Sequence, residues 1–570
     1  MKKQLTNKTF SCALVLLSSC MLSCVDSDYD LSKDFDMTIT VGGDNLTIPA
    51  SNTKDITLDK IFDLDEESTV KTDAAGNYAL IQSGEGSNTQ VTIEDITINS
   101  NEIALQSAQT ELNYEVSLDG TLTATVSDKT SFSIDKKNIT TDVTALYSSD
   151  VIMPASLRMN IEGNNSLTLK KGFQLDFPEY MTISTTDQRV DIEGSNLIFK
   201  QDINVSSTSP LYIPINITHI DFEAMGDGKG LVAPGHLVIA DDIKISGTST
   251  TEGGSAIQMI MDTEFRIDEI QLTQVTAKVN PEINVSIAPI AINNLPDFLQ
   301  DEQVRIDMTD PKIYLTVSNT SPIEVNFSGT LKSYKDGKVI ASVPVGQSPN
   351  LITIPGNHAN DYIICLHRLD SQVEGADASV TVENLNALIE TIPDEIRMES
   401  IEAKASDRKC SIILGTTYNV KADYEINAPL QFNEGTNIVY SDVIDDWNKD
   451  VKDLFVKELV VTMDAKNTIP LTMNMDVKAI DKNGAVLNNI STEVSSQIAA
   501  GTMENAKVTA LQITLKSTDA NAFKELDGLK YEVSATPSAE TSGKVLNKNQ
   551  SLRLENMTIK IKGGVTVDMN

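Results

Sequence analysis

Residues 312–340 read KIYLTVSNTSPIEVNFSGTLKSYKDGKVI, and residues 460–487 read VVTMDAKNTIPLTMNMDVKAIDKNGAVL. The second stretch repeats the first 148 residues later, with Asn467-Thr468-Ile469-Pro470 in place of Asn319-Thr320-Ser321-Pro322. Ile313, Leu315 and Val317 alternate with Tyr314, Thr316 and Ser318. Leu471, Met473, Met475 and Val477 alternate with Thr472, Asn474, Asp476 and Lys478. A period of two is the signature of a strand with one buried and one wet face. Each copy then reaches a turn signal, Asp336-Gly337 or Asn483-Gly484. These dipeptides favour tight hairpins because both central residues must take φ > 0. Strand phase, Asn, Pro and turn recur together, so the copies are expected to be two β-units of one design.

The same alternation runs outward in both directions. Leu211, Ile213, Ile215 and Ile217 keep it upstream, and Met557, Ile559 and Ile561 keep it downstream. The strand–Asn-x-x-Pro–strand arrangement is loosely similar to late-embryogenesis-type β-sandwiches, over about 30 residues per copy. Helical spacing is rare. Ser441–Phe455 is the best candidate, through Val443, Trp447, Val451, Leu454 and Phe455, with Trp447 expected in a core. Glu383–Ile392 and Asp59–Leu64 follow. The fold expected is therefore all-β: tandem β-sandwich-like domains in an elongated array, with a few short connecting helices. A small turn motif recurs as Phe177-Pro178, Leu295-Pro296 and Ile392-Pro393, since proline drives the preceding residue out of helical geometry. With it, consecutive boundaries are expected at 37–135, 136–265, 266–396 (first repeat unit) and 397–570 (second repeat unit).

The chain has 570 residues, 45 Lys+Arg against 81 Asp+Glu, and a net charge of −36. Nucleic-acid binding, which depends on cationic neutralisation of phosphates, is excluded as a function class. So is a peripheral grip on anionic lipid headgroups. Beyond the first two dozen residues nothing approaches the ~18 uninterrupted apolar positions of a spanning helix.

Residues 1–23 have the form of an export signal. Lys2, Lys3 and Lys8 precede the apolar run Phe10–Leu17, and Cys20 and Cys24 follow. This resembles a bacterial lipoprotein signal, which implies a lipid-modified cysteine. Cys24 is the choice and Cys20 the alternative. Residues 24–36 form an acidic tether in which Asp26, Asp28 and Asp30 resemble the export signal of surface-exposed lipoproteins of the Bacteroidetes. The resemblance implies an outer-membrane, lipid-anchored protein on the cell surface, partnered with the membrane through its lipid. A calcium-loop reading of these acids fails, because the sixth and twelfth positions counted from Asp26 are Leu31 and Met37 rather than Gly and Glu.

Two cysteines remain in the body, Cys365 and Cys410. They are a candidate disulfide, with two buried free thiols as the alternative. His358, Asp361, Cys365 and His367 form one local constellation, weighed as a metal site and set aside in favour of a core cysteine and a strand-end histidine. His219 is expected to be a hydrogen-bonded interior or rim residue. No metal, cofactor or catalytic residue is assigned, since no nucleophile elbow, P-loop or dinucleotide fingerprint occurs. The function expected is non-enzymatic: a structural, adhesive or ligand-capturing surface protein with a protein or glycan ligand. The alternative is a lipid-anchored glycan-processing enzyme or glycan-binding accessory protein.

Overall fold

A computed structural model describes residues 38–568, apart from 42–44, 50–51, 117–119, 253–257, 297–298, 300, 370, 449–453, 520 and 563–564. Strand accounts for 60% and helix for 4%, so the chain is an all-β, multi-domain protein. Cys20, Cys24, Asp26, Asp28 and Asp30 lie outside the described residues.

Three modules emerge from strand pairing. The two-sheet body is built from 96–279. In one sheet Leu122–Lys137 pairs along its whole length with His236–Thr251. In the other, Val143–Ile161 pairs with Leu211–Asp221, Gln258–Ile267 and Glu269–Val279. Alternating side chains from both sheets meet between them. Phe265 of one sheet lies 6.4 Å from Phe132 of the other and edge-on to Phe177 at 5.6 Å. Each such buried aromatic or aliphatic side chain contributes roughly 1.5–3 kcal/mol. A one-residue slip would turn all of them to water, which holds the register.

The first repeat unit has Lys312–Asn319 between His358–His367 and Thr417–Pro429 in one sheet. Its second sheet has Val325–Lys335 between Lys338–Val345 and Glu395–Ala405. In the second unit Glu458–Asn467 lies between Lys507–Lys516 and Ser551–Lys562. Thr472–Ile480 there pairs with Gly528–Thr536. The correspondence is detailed. Val325 pairs with Ile354, and Met473 bridges Ile498. Ile290 pairs with Ile396, and Ile438, 148 residues on, with Ala535.

The modules are not consecutive in sequence, which corrects the expected boundaries. Tyr78–Thr92 pairs with Thr417–Pro429 and so belongs to the first repeat unit. Asn45–Pro49 pairs with Ser551–Lys562, and Thr38–Val41 with Val565–Asp568, in the second. The chain runs outward through the second unit and the first, makes the body, and returns through the first unit and the second. The division at 135/136 would cut Leu122–Lys137 from its partner, and the division at 396/397 would cut Glu395–Ala405 out of its sheet. The core of the body continues into the first unit as one apolar cluster that also takes in Ile469, Leu471, Ala535 and Leu546 of the second, and the rest of the second unit has two smaller clusters.

Two local expectations also change. Ser441–Phe455 is not one continuous helix: Ile438–Ile444 is a strand paired with Gly528–Thr536, Leu454–Phe455 is a strand paired with Val565–Asp568, and between them Asn448 is helical while 449–453 lie outside the described residues. The next turn is left-handed at Asp446, φ 75°, a conformation no right-handed helix contains. Trp447 still packs on an apolar cluster. Glu383–Ile392 contracts to one 3-10 turn, Leu385–Leu388. Leu58–Phe62 is helical, and Phe62 stacks on Tyr78 at 4.2 Å.

A candidate binding cleft at a module joint

The Asn-x-x-Pro turns are built around buried asparagines, both 0% exposed. Asn319 Nδ2 donates to the carbonyls of Ile323 at 2.8 Å and Pro355 at 3.1 Å, while its Oδ1 accepts from the Ser321 amide at 3.1 Å. Asn467 Nδ2 donates to Leu471 at 3.1 Å and Ala499 at 2.9 Å, and its Oδ1 accepts from the Ile469 amide at 2.8 Å. Thr320 and Thr468 then tie the turns to the next strand, accepting from the Asn419 amide at 2.9 Å and the Ser551 amide at 2.7 Å. A buried amide side chain that satisfies every nearby backbone group makes a rigid corner.

Each corner faces the next module. In the second unit it is apolar and filled. Ile469 and Leu471 join the cluster that runs through the first unit, and Leu546, from the loop after Gly528–Thr536, is 1% exposed in the same cluster. In the first unit the corner faces the body, and beside the continuous apolar core, which takes in Ile323 and Val279, the joint opens into a cleft lined in part by charged groups. A cleft of about 270 Å³ lies there, with Pro322, Ile323, Glu324, Pro355 and Gly356 on one wall. The other wall comes from Val279 and from Ser406, Arg408, Lys409 and Cys410. The loop 406–409 links Glu395–Ala405 of the first unit to Cys410–Ile413, which pairs with Glu269–Val279 of the body.

The electrostatics are specific. Arg408 Nη1 donates to Glu324 Oε2 at 3.1 Å, with the arginine side chain 75% exposed. Lys409 Nζ donates to Glu223 at 2.9 Å and sits 3.6 Å from the Tyr147 ring centroid. Burial pushes the Cys410 thiol up, so it is a weak nucleophile at neutral pH. Between the sheets of the first unit there is also an apolar cavity of about 30 Å³. That is room for a water or two and not for a ligand.

The structure separates Cys365 and Cys410. Both are free. Cys365 pairs across from Tyr314 in the first unit, and Cys410 across from Ala277 in the body. The candidate disulfide is corrected to two free thiols in different sheets, with Cys365 pushed up to about 11, chiefly by burial. His358 and His367 stand at opposite ends of one strand. His358 packs edge-on against Tyr362 at 5.1 Å. His367 is buried, with its Nδ1 3.9 Å from Asp310. Among the described residues no group of three His, Cys, Asp or Glu could hold a metal ion. His219 bonds Asp150 at 2.8 Å on the rim of the body. Arg408 and Lys409 were missed by sequence reading. Their signal was two adjacent cations in a strongly acidic chain.

No protein family and no curated protein matches this chain. Among solved structures it is similar to the crystal structure of a Parabacteroides distasonis protein, provisionally described as secreted. Identity is 15% and the TM-score 0.36, over 51% of this chain and 83% of that one. A likeness at that TM-score carries no argument about role. No helix among the described residues is long and apolar enough to cross a membrane.

Proposed function

We propose that this protein is a lipid-anchored, non-enzymatic capture protein of the outer membrane of the Bacteroidetes type, exposed on the cell surface. The cleft at the joint between the first repeat unit and the body carries the reading. The equivalent joint of the second unit is packed with Ile469, Leu471 and Leu546, whereas this one is open and charged. Ligand pockets favour such interfaces between modules. The signal, the cysteines and the acidic tether support anchoring. Thr38–Val41, which follows the tether, pairs in the second unit, so that unit would stand next to the membrane and the cleft farther out. Multiple acyl chains would hold it stably where one chain would not.

The test is metabolic lipid labelling of Cys24→Ala and Cys20→Ala, with protease access on whole cells and a glycan array plus hydrolase screen on the body. The reading expects labelling lost only in Cys24→Ala, surface access lost when Asp26, Asp28 and Asp30 are neutralised, and binding without turnover. Turnover of any glycan would replace it with the enzyme reading.

A further inference from the structure

We infer that the joint cleft binds a small carboxylate-bearing ligand of about one sugar-acid residue, through Arg408, with Glu324 as a built-in competitor for the same guanidinium. The inference rests on the capture reading and names its ligand class. Three observations carry it.

The first is the internal comparison. The two corners share their asparagine hydrogen bonds, their threonine ties and the packing of the return segment, where the Asn357 amide reaches Ser321 O at 2.6 Å and the Gly501 amide reaches Ile469 O at 3.0 Å. Against that common frame the second unit fills its joint with apolar side chains, whereas the first places Ser321 where the second has Ile469, and Glu324 where it has Thr472. Ile323 keeps the place of Leu471 in the apolar cluster, while Ser321 and Glu324 replace the rest of the second unit's apolar or uncharged filling, so the first joint packs in part and opens beside Glu324.

The second is charge. In a chain of net charge −36, Arg408 and Lys409 bring two adjacent cations to one opening. Lys409 is held aside by Glu223 and the Tyr147 ring. Arg408 meets Glu324 through one nitrogen at 3.1 Å, which leaves the planar fork of the guanidinium, able to take a carboxylate through two parallel bonds, underused. A ligand carboxylate that engages both donors displaces a single-point partner.

The third is size. The cleft, about 270 Å³, is of the few-hundred-Å³ scale that suits a small ligand, with room for one sugar ring and its carboxylate. Ser406 supplies a polar edge, while Pro322, Ile323 and Val279 line the apolar part of the opening, which ring C–H groups need.

Cys410 lines the cleft, and although burial slows its reaction, the rate of that slow alkylation reports the cleft's occupancy. In the intact protein, alkylation of Cys410 by neutral iodoacetamide is followed by peptide mass spectrometry with D-glucuronate, N-acetyl-L-glutamate or D-glucose added. Protection by glucuronate and not by glucose is expected. Arg408→Gln should weaken protection about tenfold or more, the loss of one charge-assisted pair. Glu324→Gln should strengthen it, because the competing carboxylate is gone. Protection by N-acetylglutamate as well as glucuronate assigns the site to carboxylates in general, and by glucuronate alone to sugar acids. No protection by either acid, equal protection by glucose, or protection unchanged in Arg408→Gln overturns the inference. Binding is read on purified protein, so its failure is separate from any failure of lipid labelling or surface exposure.

Discussion

Asn319 and Asn467 do the same work at positions 148 residues apart. Each closes a corner by donating to two carbonyls and accepting one amide while wholly buried. Replacing either with Ala should cost about 2–4 kcal/mol, because two carbonyls and an amide lose their partners inside the protein. Chemical denaturation of Asn319→Ala and Asn467→Ala checks this, and a loss below 1 kcal/mol in both would remove the corner's role. The asparagines were readable in the sequence because Asn and Pro kept one spacing. Their bonds were not, since Pro355 and Ala499 lie more than 30 residues downstream. A second residue-scale expectation concerns acid. Arg189 beside Asp187 holds that carboxyl below its usual range, chiefly through their hydrogen bond. A lowered folded value means stability that is present above the ordinary carboxylate range and lost as pH falls through the lowered one. Asp187→Asn should therefore flatten the acid limb of the stability curve below about pH 4, the ordinary carboxylate range, and leave its shape near neutrality unchanged. An acid limb identical to the parent's would contradict it.

At the scale of elements, period-two alternation predicted strands where the structure has them. Lys312–Asn319 buries Ile313, Leu315 and Val317, and Val325, Phe327 and Leu331 follow in phase. The turns divide. Asp336 and Gly337 take φ 51° and 70° in a two-residue hairpin between Lys335 and Lys338, as Asp-Gly implies. At Asn483-Gly484 only Gly484 is left-handed, φ 77°. Asp481 Oδ1 accepts from the amides of Asn483 and Ala485, so the side chain makes a wider turn. Asn-Gly chemistry could not reveal this, because the deciding group sits two residues earlier. Gly337→Val and Gly484→Val should each destabilise by about 1–3 kcal/mol, with Gly→Asn milder, since φ rather than space is limiting. The first should loosen the first unit together with the body, whose core is continuous, and the second chiefly the part of its own unit around Ala479, Leu487 and Ile490, which packs in a separate cluster. Hydrogen exchange resolved by segment distinguishes these patterns. The helix expected from Ser441 does not begin there for a related reason: Val443 and Ile444 suit a strand as well as a helix, and the Gly528–Thr536 strand offered a ladder.

For the molecule as a whole, the pairing of segments about 500 residues apart decides the architecture. The Thr53 amide bonds Leu554 O at 2.9 Å, and the Asn556 amide bonds Asn52 Oδ1 at 2.9 Å. Periodicity shows that a segment is a strand and not which strand it meets, so consecutive domains were the natural reading and nested ones were invisible. The nesting also separates the first described strands from the joint cleft, because those strands complete the second unit and not the body. The direct test is a Cys pair at Ile56 and Leu552, Cα partners in an antiparallel pairing, whose separation suits a disulfide. Mild oxidation of the monomer should give an intramolecular bond that closes almost the whole chain, seen as a faster non-reduced species and a 56–552 linked peptide. A chain that stays unlinked, or links only between molecules, would contradict the out-and-back architecture.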